Sequence, residues 1–319
     1  MTPTRVLVTG AGGPAGIAVI RSLSRVPGVT PVAADMDPYA AGLYLVDDRA
    51  LVPAGAAPSF VPELLDLCRR ERVDVVVPTV DDELLPLAGA RGIFRDIGVR
   101  LALTGTPALE CTLDKLALAR RCAATVHTPR TEMLSAAFDP AAWEFPVILK
   151  PRRGSGSRGV RLVTEPDALG PPDEALIVQE HLPGDEYSLD VLADVEGRVV
   201  SVVPRRRTRV DSGVSVAGET LHDPELDALA RGVFAAVGLS LVANVQCRRD
   251  RSGRAALLEV NPRFSGAMPL TIHSGVDMPL LCLDAVLGGE LPDAVPHRPV
   301  TMVRFLEERF LGATELVTV

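Results

Sequence analysis

The sequence contains very little lysine. Of its 33 basic residues only two are lysines, Lys115 and Lys150, and the other 31 are arginines. Aromatic residues make up 4% of the chain and the net charge is −8, so no basic surface interleaved with aromatic side chains is offered to a nucleic acid. These scarcities argue against nucleic-acid binding and draw attention to the two places where lysine occurs.

Cysteine pairs and long apolar runs are also missing. The five cysteines are odd in number, scattered, and never arranged as Cys-x-x-Cys, which argues against a disulfide framework and against a zinc site. No apolar run reaches the ~18 residues of a membrane span, and no charged-then-apolar signal segment precedes the first strand pattern. We therefore predict a cytoplasmic protein that does not enter a membrane.

The first third of the chain predicts an α/β domain. Its 47% hydrophobic content and 319 residues suffice for two packed domains. Continuous apolar strand patterns at residues 6–8 and 73–78 alternate with helical patterns at 15–25 and 60–72, and a further strand pattern lies at 99–103. Strands buried on both faces and separated by helices indicate a parallel, Rossmann-like sheet.

The remainder predicts an α+β arrangement, because its strand patterns follow one another closely. We expect one domain over residues 1–110, a second over 111–185 and a third over 186–319. The strand patterns lie at 147–150, 160–163, 176–179, 187–193, 199–204, 241–248 and 255–260, and the helical patterns at 114–124, 224–237 and 279–287.

Lys150 ends an apolar strand pattern and is followed by a loop of small residues. A strand that delivers a cation beside exposed backbone N–H groups is suited to a polyanion such as a phosphate chain. We predict that this loop wraps phosphates through the stretch Gly154, Ser155, Gly156 and Ser157, which continues to Gly159.

A second group of polar residues lies near the C-terminus. Glu259 and Asn261 are two residues apart, so on a strand their side chains leave on the same face. Gln246, on the preceding strand, can add a third oxygen. Such all-oxygen ligation suits Mg²⁺ held together with nucleotide phosphates, and Arg263 beside it can brace a transferring phosphoryl group. The alternative is a solvated strand edge followed by a loop.

The segment between two further strand patterns predicts a nucleotide-binding hinge. Backbone groups at Glu180, His181 and Leu182 can contact an adenine edge, and Glu186 can hold ribose hydroxyls. A plain β-turn explains the spacing equally well.

The run Arg205-Arg-Arg-Thr-Arg209 follows a strand pattern that we expect to end at Pro204. At strand period Arg205, Arg207 and Arg209 share one face, which suits a substrate carboxylate. We also predict substrate contacts at Ser265 and Gly266. An exposed basic hairpin is the alternative for the arginine run.

The glycine turn Gly10-Ala-Gly-Gly-Pro-Ala-Gly16 is similar to a dinucleotide-binding fingerprint, with Asp35 or Asp37 at the position of a ribose ligand. Its glycine spacing is nearest to that of extended short-chain dehydrogenases, which need a tyrosine with a lysine four residues later. No tyrosine of this chain has that partner. Close packing of strand and helix is therefore the favoured reason for these glycines, and a nicotinamide oxidoreductase is the weaker alternative.

Taken together, these residues resemble the ATP-grasp superfamily over the whole chain. The resemblance implies that Lys115 and Lys150 contact phosphates, and it implies the loop, hinge and metal roles given above. Gln246 stands where many members have a carboxylate, and this, with the Thr9-Gly-Ala-Gly opening, is similar to the carbamoyl-phosphate synthetase large-subunit branch. A single unit of this kind indicates a stand-alone relative.

The family resemblance implies an enzyme that uses ATP and Mg²⁺, with Mn²⁺ as an alternative metal, to join a carboxylate to an amine through an acyl phosphate. The expected substrates are small molecules, such as an amino acid or a peptide-like metabolite, and a homodimer is compatible with the family. Two alternatives stay open: an enzyme that forms carboxyphosphate or carbamoyl phosphate from bicarbonate, and a nucleotide-binding partner subunit without turnover.

Overall fold

Three β-sheets follow one another along the chain. The structure is a computed structural model that describes residues 3–154, 156, 158–211, 214–312 and 315–317. We call the sheets the front sheet, the small sheet and the large sheet, in chain order. The predicted domain boundaries near residues 110 and 185 each fall between two sheets and stay predictions.

The front sheet is parallel throughout and has the strand order β3-β2-β1-β4-β5. The predicted α/β class is thus confirmed for this part. Its strands are β1 (Thr4–Val8), β2 (Val29–Asp35), β3 (Arg49–Leu51), β4 (Val75–Val77) and β5 (Arg100–Leu101), and its helices are α1 (Pro14–Leu23), α2 (Phe60–Glu71), α3 (Asp81–Gly89) and α4 (Arg91–Asp96).

Two helices and an antiparallel sheet come next. Helices α5 (Thr106–Thr112) and α6 (Lys115–Cys122) lead into the small sheet, whose order is β6-β9-β7-β8. Asp114 caps α6 by accepting hydrogen bonds from the backbone N–H groups of Leu116 and Ala117. The small-sheet strands are β6 (Thr131–Leu134), β7 (Val147–Pro151), β8 (Arg161–Val163) and β9 (Asp173–Glu180).

The large sheet is also antiparallel, with the order β14-β13-β10-β11-β12-β15. Its strands are β10 (Glu186–Ala193), β11 (Val199–Asp211), β12 (Val214–Thr220), β13 (Val242–Arg249), β14 (Ala255–Asn261) and β15 (Thr301–Val303), and it is accompanied by α7 (Pro224–Val237), α8 (Met268–His273) and α9 (Met278–Leu287).

Strand β11 is longer than its sequence pattern indicates. We expected it to end at Pro204, but it continues to Asp211 and carries the arginine run inside the sheet. Pro204 has no backbone N–H to donate, but its carbonyl still accepts a hydrogen bond from the N–H of Leu221, so the strand stays bonded there on its acceptor side. The basic run is therefore strand and forms an antiparallel hairpin with the next strand. The alternative of an exposed hairpin is wrong for Arg205, which is buried, and holds for Arg206 and Arg209, which are exposed.

The front sheet and the large sheet share an apolar core. Buried side chains from β1 and α1 form one cluster with Leu192 and Val200 of the large sheet and with Phe264, Met268 and Cys282 beyond β14. Burial of this kind contributes about 25 cal/mol for each Å² of apolar surface removed from water. The shared core fixes the space between the two sheets, where the candidate site lies.

The five cysteines lie apart and are all free thiols. Four are buried and Cys111 is half-buried. Among the described residues, no helix combines the length and the apolar character needed to cross a bilayer.

Candidate active site

Two adjoining cavities lie around the large sheet. The large cavity, about 530 Å³, lies between the front domain and the large sheet, and the small cavity, about 150 Å³, lies between the small and large sheets. Four residues line both: Arg158, Arg207, Gln246 and Glu259. The cavities therefore meet at Gln246 and Glu259, two of the three residues predicted to hold a metal, and the third, Asn261, lines the large cavity.

The predicted metal ligands lie together at this junction. Strand register pairs Gln246 directly with Glu259, and Asn244 with Asn261, so all four side chains share one face of the large sheet. Leu258, just before Glu259, is an extra residue that has no partner on the neighbouring strand. The bulge leaves the side chains of Glu259 and Asn261 on the same face, and both line the large cavity. One carboxylate with two amide oxygens is an oxygen-only donor set that fits Mg²⁺.

This donor set includes one acidic side chain. Among the described residues, no group of three or more His, Cys, Asp or Glu side chains is placed to hold a metal. A cation at this junction therefore depends on the amides of Gln246 and Asn261 and on oxygens brought by a ligand.

Both lysines reach the small cavity. Lys150, the fourth residue of β7, is 6% exposed, and Lys115, the first residue of α6, places its Nζ 3.7 Å from Oε2 of Glu259. Burial lowers the pKa of the Lys150 ammonium to about 8, Glu259 opposes that shift, and the charge of Lys115 adds to it. An anionic ligand between the two lysines would offset their repulsion.

The predicted phosphate loop begins at the same cavity. Gly154 lines it, and the carbonyl of Gly154 accepts a hydrogen bond from Nζ of Lys115 at 2.6 Å. Gly154, Gly156 and Gly159 all have positive φ angles, which only glycine adopts without strain. Ser155 and Ser157 lie outside the described residues.

Three of the four predicted hinge residues line the small cavity. Glu180, Leu182 and Glu186 line the small cavity, whereas His181 is not among the lining residues. The N–H of Glu180 donates to the carbonyl of Arg130, so a contact from that N–H to an adenine edge is excluded. The carboxylate of Glu186 pairs with Arg207. The roles of the other hinge groups stay predictions.

The arginine run splits between two faces of the sheet. Arg205 and Arg207 line the large cavity, but the register shifts between Arg207 and Arg209, so Thr208 is extra and Arg209 turns to the other face. The expectation that all three arginines share one face is wrong for Arg209, which is exposed.

Arg205 lies in the wall of the large cavity, where buried polar side chains bind its guanidinium. Its Nε and NH2 donate to the two oxygens of Asp190, each at 2.9 Å, and NH2 also donates to the hydroxyl of Ser265 at 3.0 Å. Asp190 is fully buried and also accepts from Asn244 at 2.7 Å and from Thr271. This network fixes the cavity wall, so Arg205 has a structural task besides the predicted substrate contact.

Ser265 and Gly266 line the large cavity, and their contact with a substrate stays a prediction. The carbonyl of Gly266 accepts a hydrogen bond from NH2 of Arg304 at 2.7 Å. Burial lowers the pKa of Arg304, and the positive charge of Arg205 acts in the same direction. The turn after β14 is therefore anchored on both sides.

Arg263 reaches across to the front domain. Its guanidinium forms a two-point ion pair with Asp81, the first residue of α3, with Nε–Oδ1 at 2.8 Å and NH2–Oδ2 at 2.7 Å. Both side chains line the large cavity. The predicted phosphoryl-facing arginine is thus oriented by a carboxylate that lies 182 positions away in the sequence.

The front domain adds acidic groups that sequence reasoning missed. Glu83 lines the large cavity, is 5% exposed and accepts a hydrogen bond from the hydroxyl of Thr9. Burial raises its pKa to about 7; the Thr9 bond opposes the shift, and Asp35 and Asp82 add to it. The signal was available, because Asp81, Asp82 and Glu83 closely follow buried β4, where parallel sheets place ligand sites.

The glycine turn serves packing at the other end of the cavity. A side chain at Gly16 would overlap the carbonyl of Gly10 and would lie 2.9 Å from Cα of Ala11. Asp35, the candidate ribose ligand, accepts a hydrogen bond from the N–H of Gly12 at 2.8 Å. These contacts account for the glycines and for Asp35 within the chain, in line with the packing interpretation.

Two family models match the chain. Residues 6–102 match the model described as PylC-like, N-terminal domain, and residues 172–309 match the model described as ATP-grasp in the biosynthetic pathway with Ter operon.

Relatives of known function match part of the chain. D-alanine–D-alanine ligase B of Xanthomonas campestris is 30% identical over 146 residues, which is 40% of this chain and 45% of the ligase. Acetyl-CoA carboxylase of Schizosaccharomyces pombe is 26% identical over 176 residues, which is 48% of this chain and 8% of the carboxylase. The chain thus spans less than half the length of these two relatives.

Solved structures match nearly all of the chain. N5-carboxyaminoimidazole synthetase from Staphylococcus aureus, solved with ADP, superposes with a TM-score of 0.75 at 15% identity and covers 95% of this chain and 82% of its own. That likeness establishes the fold of the three sheets. Together with the match of residues 172–309 to an ATP-grasp family model, it confirms the predicted resemblance to the ATP-grasp superfamily.

Proposed function

We propose that the protein is an ATP-dependent ligase that activates a carboxylate as an acyl phosphate, which an amine then attacks to form a C–N bond. The observation that carries this proposal is the junction of the two cavities. Both lysines of the chain lie on one side of it, a cavity with arginine walls lies on the other, and an oxygen-only donor set stands between. Such an arrangement suits transfer of a phosphoryl group from one cavity into the other.

The small cavity is the proposed nucleotide site. Lys115 and Lys150 supply the positive surface for phosphates beside Gly154, while Leu182 and Glu186 line the part proposed for the nucleoside. The small sheet and the large sheet form its two sides. In the matched synthetase, whose structure was solved with ADP, these sheets have the same fold.

The donor set at the junction is proposed to hold Mg²⁺, and Mn²⁺ is an alternative with the same ligand preference. When bound, the cation offsets the negative charge of the phosphates. Glu259 supplies the one anionic ligand, while Gln246 and Asn261 supply amide oxygens. Nζ of Lys115 lies 3.7 Å from Oε2 of Glu259, so a proposed phosphate contact and the proposed anionic metal ligand are neighbours.

The large cavity is the proposed site of the two substrates. Its arginines bring positive charge that suits a carboxylate: Arg207 at the junction, Arg205 in the wall and Arg263 beside Asn261. The Nε and NH2 groups of Arg205 and Arg263 already bind Asp190 and Asp81, so these two arginines act mainly through their charge. A carboxylate oxygen attacks the terminal phosphorus, ADP leaves, and the amine nitrogen then displaces phosphate from the acyl carbon while losing a proton. The chain's part in this is to orient the reactants and to offset charge.

The size of the large cavity favours an organic acid over bicarbonate. At about 530 Å³ it has the volume of ordinary small-molecule sites and far exceeds the volume of a small inorganic anion. A similarity to D-alanine–D-alanine ligase B also favours a small amino acid as one substrate. The similarity to acetyl-CoA carboxylase supports the second candidate, an enzyme that forms carboxyphosphate or carbamoyl phosphate from bicarbonate.

The test is ADP release from Mg²⁺-ATP against a panel of amino acids, other small carboxylates and bicarbonate, each with and without an amine. We expect turnover that requires an organic acid and an amine. Turnover with bicarbonate alone would move the protein to the second candidate. Nucleotide binding without any turnover would favour a non-catalytic partner subunit.

Two variants, each lacking one carboxylate, sharpen this assay: E259Q is the test and E196Q is the matched control. E259Q keeps the shape of the side chain and removes the anionic ligand, so we expect ADP release to fall to background while the fold is kept. E196Q changes an exposed carboxylate in the turn after β10 and should leave turnover unchanged. Equal turnover in E259Q and E196Q would remove the metal assignment.

Location and assembly remain proposals. The cytoplasmic location and the homodimer are carried over from the sequence and the family resemblance. Light scattering of the purified protein would decide the assembly state, since a monomer at working concentration would rule the homodimer out.

A further inference from the structure

The ion pair between Asp81 and Arg263 joins the front domain to the turn after the strand that carries two of the proposed metal ligands. Asp81 begins α3, directly beyond the carboxyl end of β4, and Arg263 follows β14. Their side chains are 15% and 18% exposed, so water screens the pair only partly. The pair therefore differs from the surface ion pairs that contribute little to a fold.

The hydrogen bonds of Arg263 define which part of it can meet a substrate. Nε and NH2 point to Asp81, NH2 also lies 3.4 Å from Oδ1 of Asn261, and NH1 donates to the carbonyl of Phe264 at 3.2 Å. A guanidinium has five N–H donors. These contacts use four of the five donors. Among the residues that the structure describes, the remaining NH1 hydrogen has no hydrogen-bond acceptor, so it is left for the cavity.

We propose that Asp81 is a positioning residue that acts through Arg263. It holds the plane of the guanidinium so that the remaining NH1 hydrogen is left for the large cavity, which Arg263 lines, and it makes the site depend on the placement of the front domain. This inference rests on the proposed function, because the phosphoryl group that Arg263 faces comes from the nucleotide.

A negative charge beside Arg263 has two opposite effects on the rate of phosphoryl transfer. The charge of Asp81 offsets part of the attraction between Arg263 and a phosphate, which alone would make its removal activating. The two-point geometry fixes an otherwise mobile side chain, and misplacement of about 1 Å can cost roughly 10²-fold in rate. We propose that orientation is the larger effect, so removal lowers the rate.

The first test compares D81N with D81E. Asn keeps one acceptor oxygen and loses the second, whereas Glu keeps a two-oxygen carboxylate. We expect D81N to lower kcat for ADP release by about 10²-fold with little change in KM for ATP, and D81E to recover part of kcat. The calorimetric Kd of Mg²⁺ with a non-hydrolysable ATP analogue should stay unchanged in D81N. A kcat at or above the wild-type value would overturn the proposal.

The second test separates positioning from general loss of structure. If Asp81 acts only through Arg263, D81N lowers kcat in the wild-type chain but lowers it no further in an R263K chain. A control is E307Q, which breaks another pair between the front domain and the C-terminal segment, Arg21–Glu307 at 2.6 Å, and should leave kcat unchanged. Thermal unfolding of each variant shows which are folded.

The outcomes distinguish the two proposals. If the wild-type chain turns over ATP and D81N has the same effect with Arg263 or Lys at position 263, the Asp81 role is wrong and the ligase proposal stands. If E307Q lowers kcat as much as D81N, any contact between these parts suffices, and the Asp81 role is again wrong. If the wild-type chain shows no turnover with any member of the panel, the proposed function fails, and the Asp81 role fails with it.

Discussion

Removing the ammonium group of Lys150 should have opposite effects on stability and on nucleotide binding. Burial lowers the pKa of this group from 10.5 to about 8. A shift of that size corresponds to about 3 kcal/mol of free energy that the fold spends on keeping Lys150 charged in its cavity. K150M should therefore be more stable than the wild-type chain at neutral pH, by up to about 3 kcal/mol, while it loses affinity for ATP.

The sign of the pH dependence follows from the same shift. Below pH 8 Lys150 is charged in both the folded and the unfolded chain, so the burial cost is fully present. Between pH 8 and 10.5 Lys150 is more often protonated in the unfolded chain than in the folded chain. The contribution of this group to the free energy of unfolding therefore rises with pH. Nucleotide phosphates need the charged form, so ATP affinity should fall about tenfold per pH unit above pH 8.

The assay is calorimetric titration of Mg²⁺ with a non-hydrolysable ATP analogue at several pH values, paired with urea unfolding. K150R is the matched control, because arginine stays charged throughout and should abolish the fall in affinity above pH 8. An affinity that stays level from pH 7 to 9.5 in the wild-type chain would refute the assignment of Lys150 to the phosphates. The assignment would also be refuted if the affinity of K150M for the ATP analogue fell with pH as steeply as that of the wild-type chain.

Two further predictions concern the framework of the site. R205M leaves Asp190 buried without its cation and should lower the free energy of unfolding by about 3–5 kcal/mol, whereas R206M on the exposed face should cost about 0–1 kcal/mol. G16A forces a methyl group against the carbonyl of Gly10 and should cost about 1–3 kcal/mol, while G89A, which meets no atom within 4 Å, should not destabilise. Denaturant unfolding measures all four, and equal values within either pair would contradict the packing described here.

Local patterns in the sequence were enough to predict several elements closely. Helix α7 runs over Pro224–Val237, the predicted range, because Asp223 caps its start and Gly238 takes the left-handed conformation at its end. The parity of Glu259 and Asn261 likewise follows from strand geometry alone, and the register with Gln246 agrees with it. Where the signal lies within a few residues, the sequence is sufficient.

The remaining features depend on contacts between distant parts of the chain. The extra residue Thr208 that turns Arg209 away leaves no mark on hydrophobic periodicity. The pairing of Arg205 with Asp190 needs two strands to meet in one register, and no local pattern separates a buried arginine from an exposed one. The pair of Asp81 and Arg263 requires the packing of whole domains, so sequence reasoning placed the arginine and missed its partner.

The central claim is that a substrate carboxylate becomes an acyl phosphate in the large cavity. The most direct test uses the acid that supports turnover, labelled with ¹⁸O in its carboxylate, and mass analysis of the phosphate released with the amine present. Phosphate that carries one labelled oxygen is the predicted result, because the attacking oxygen leaves with the phosphoryl group. Turnover that releases only unlabelled phosphate would contradict the account.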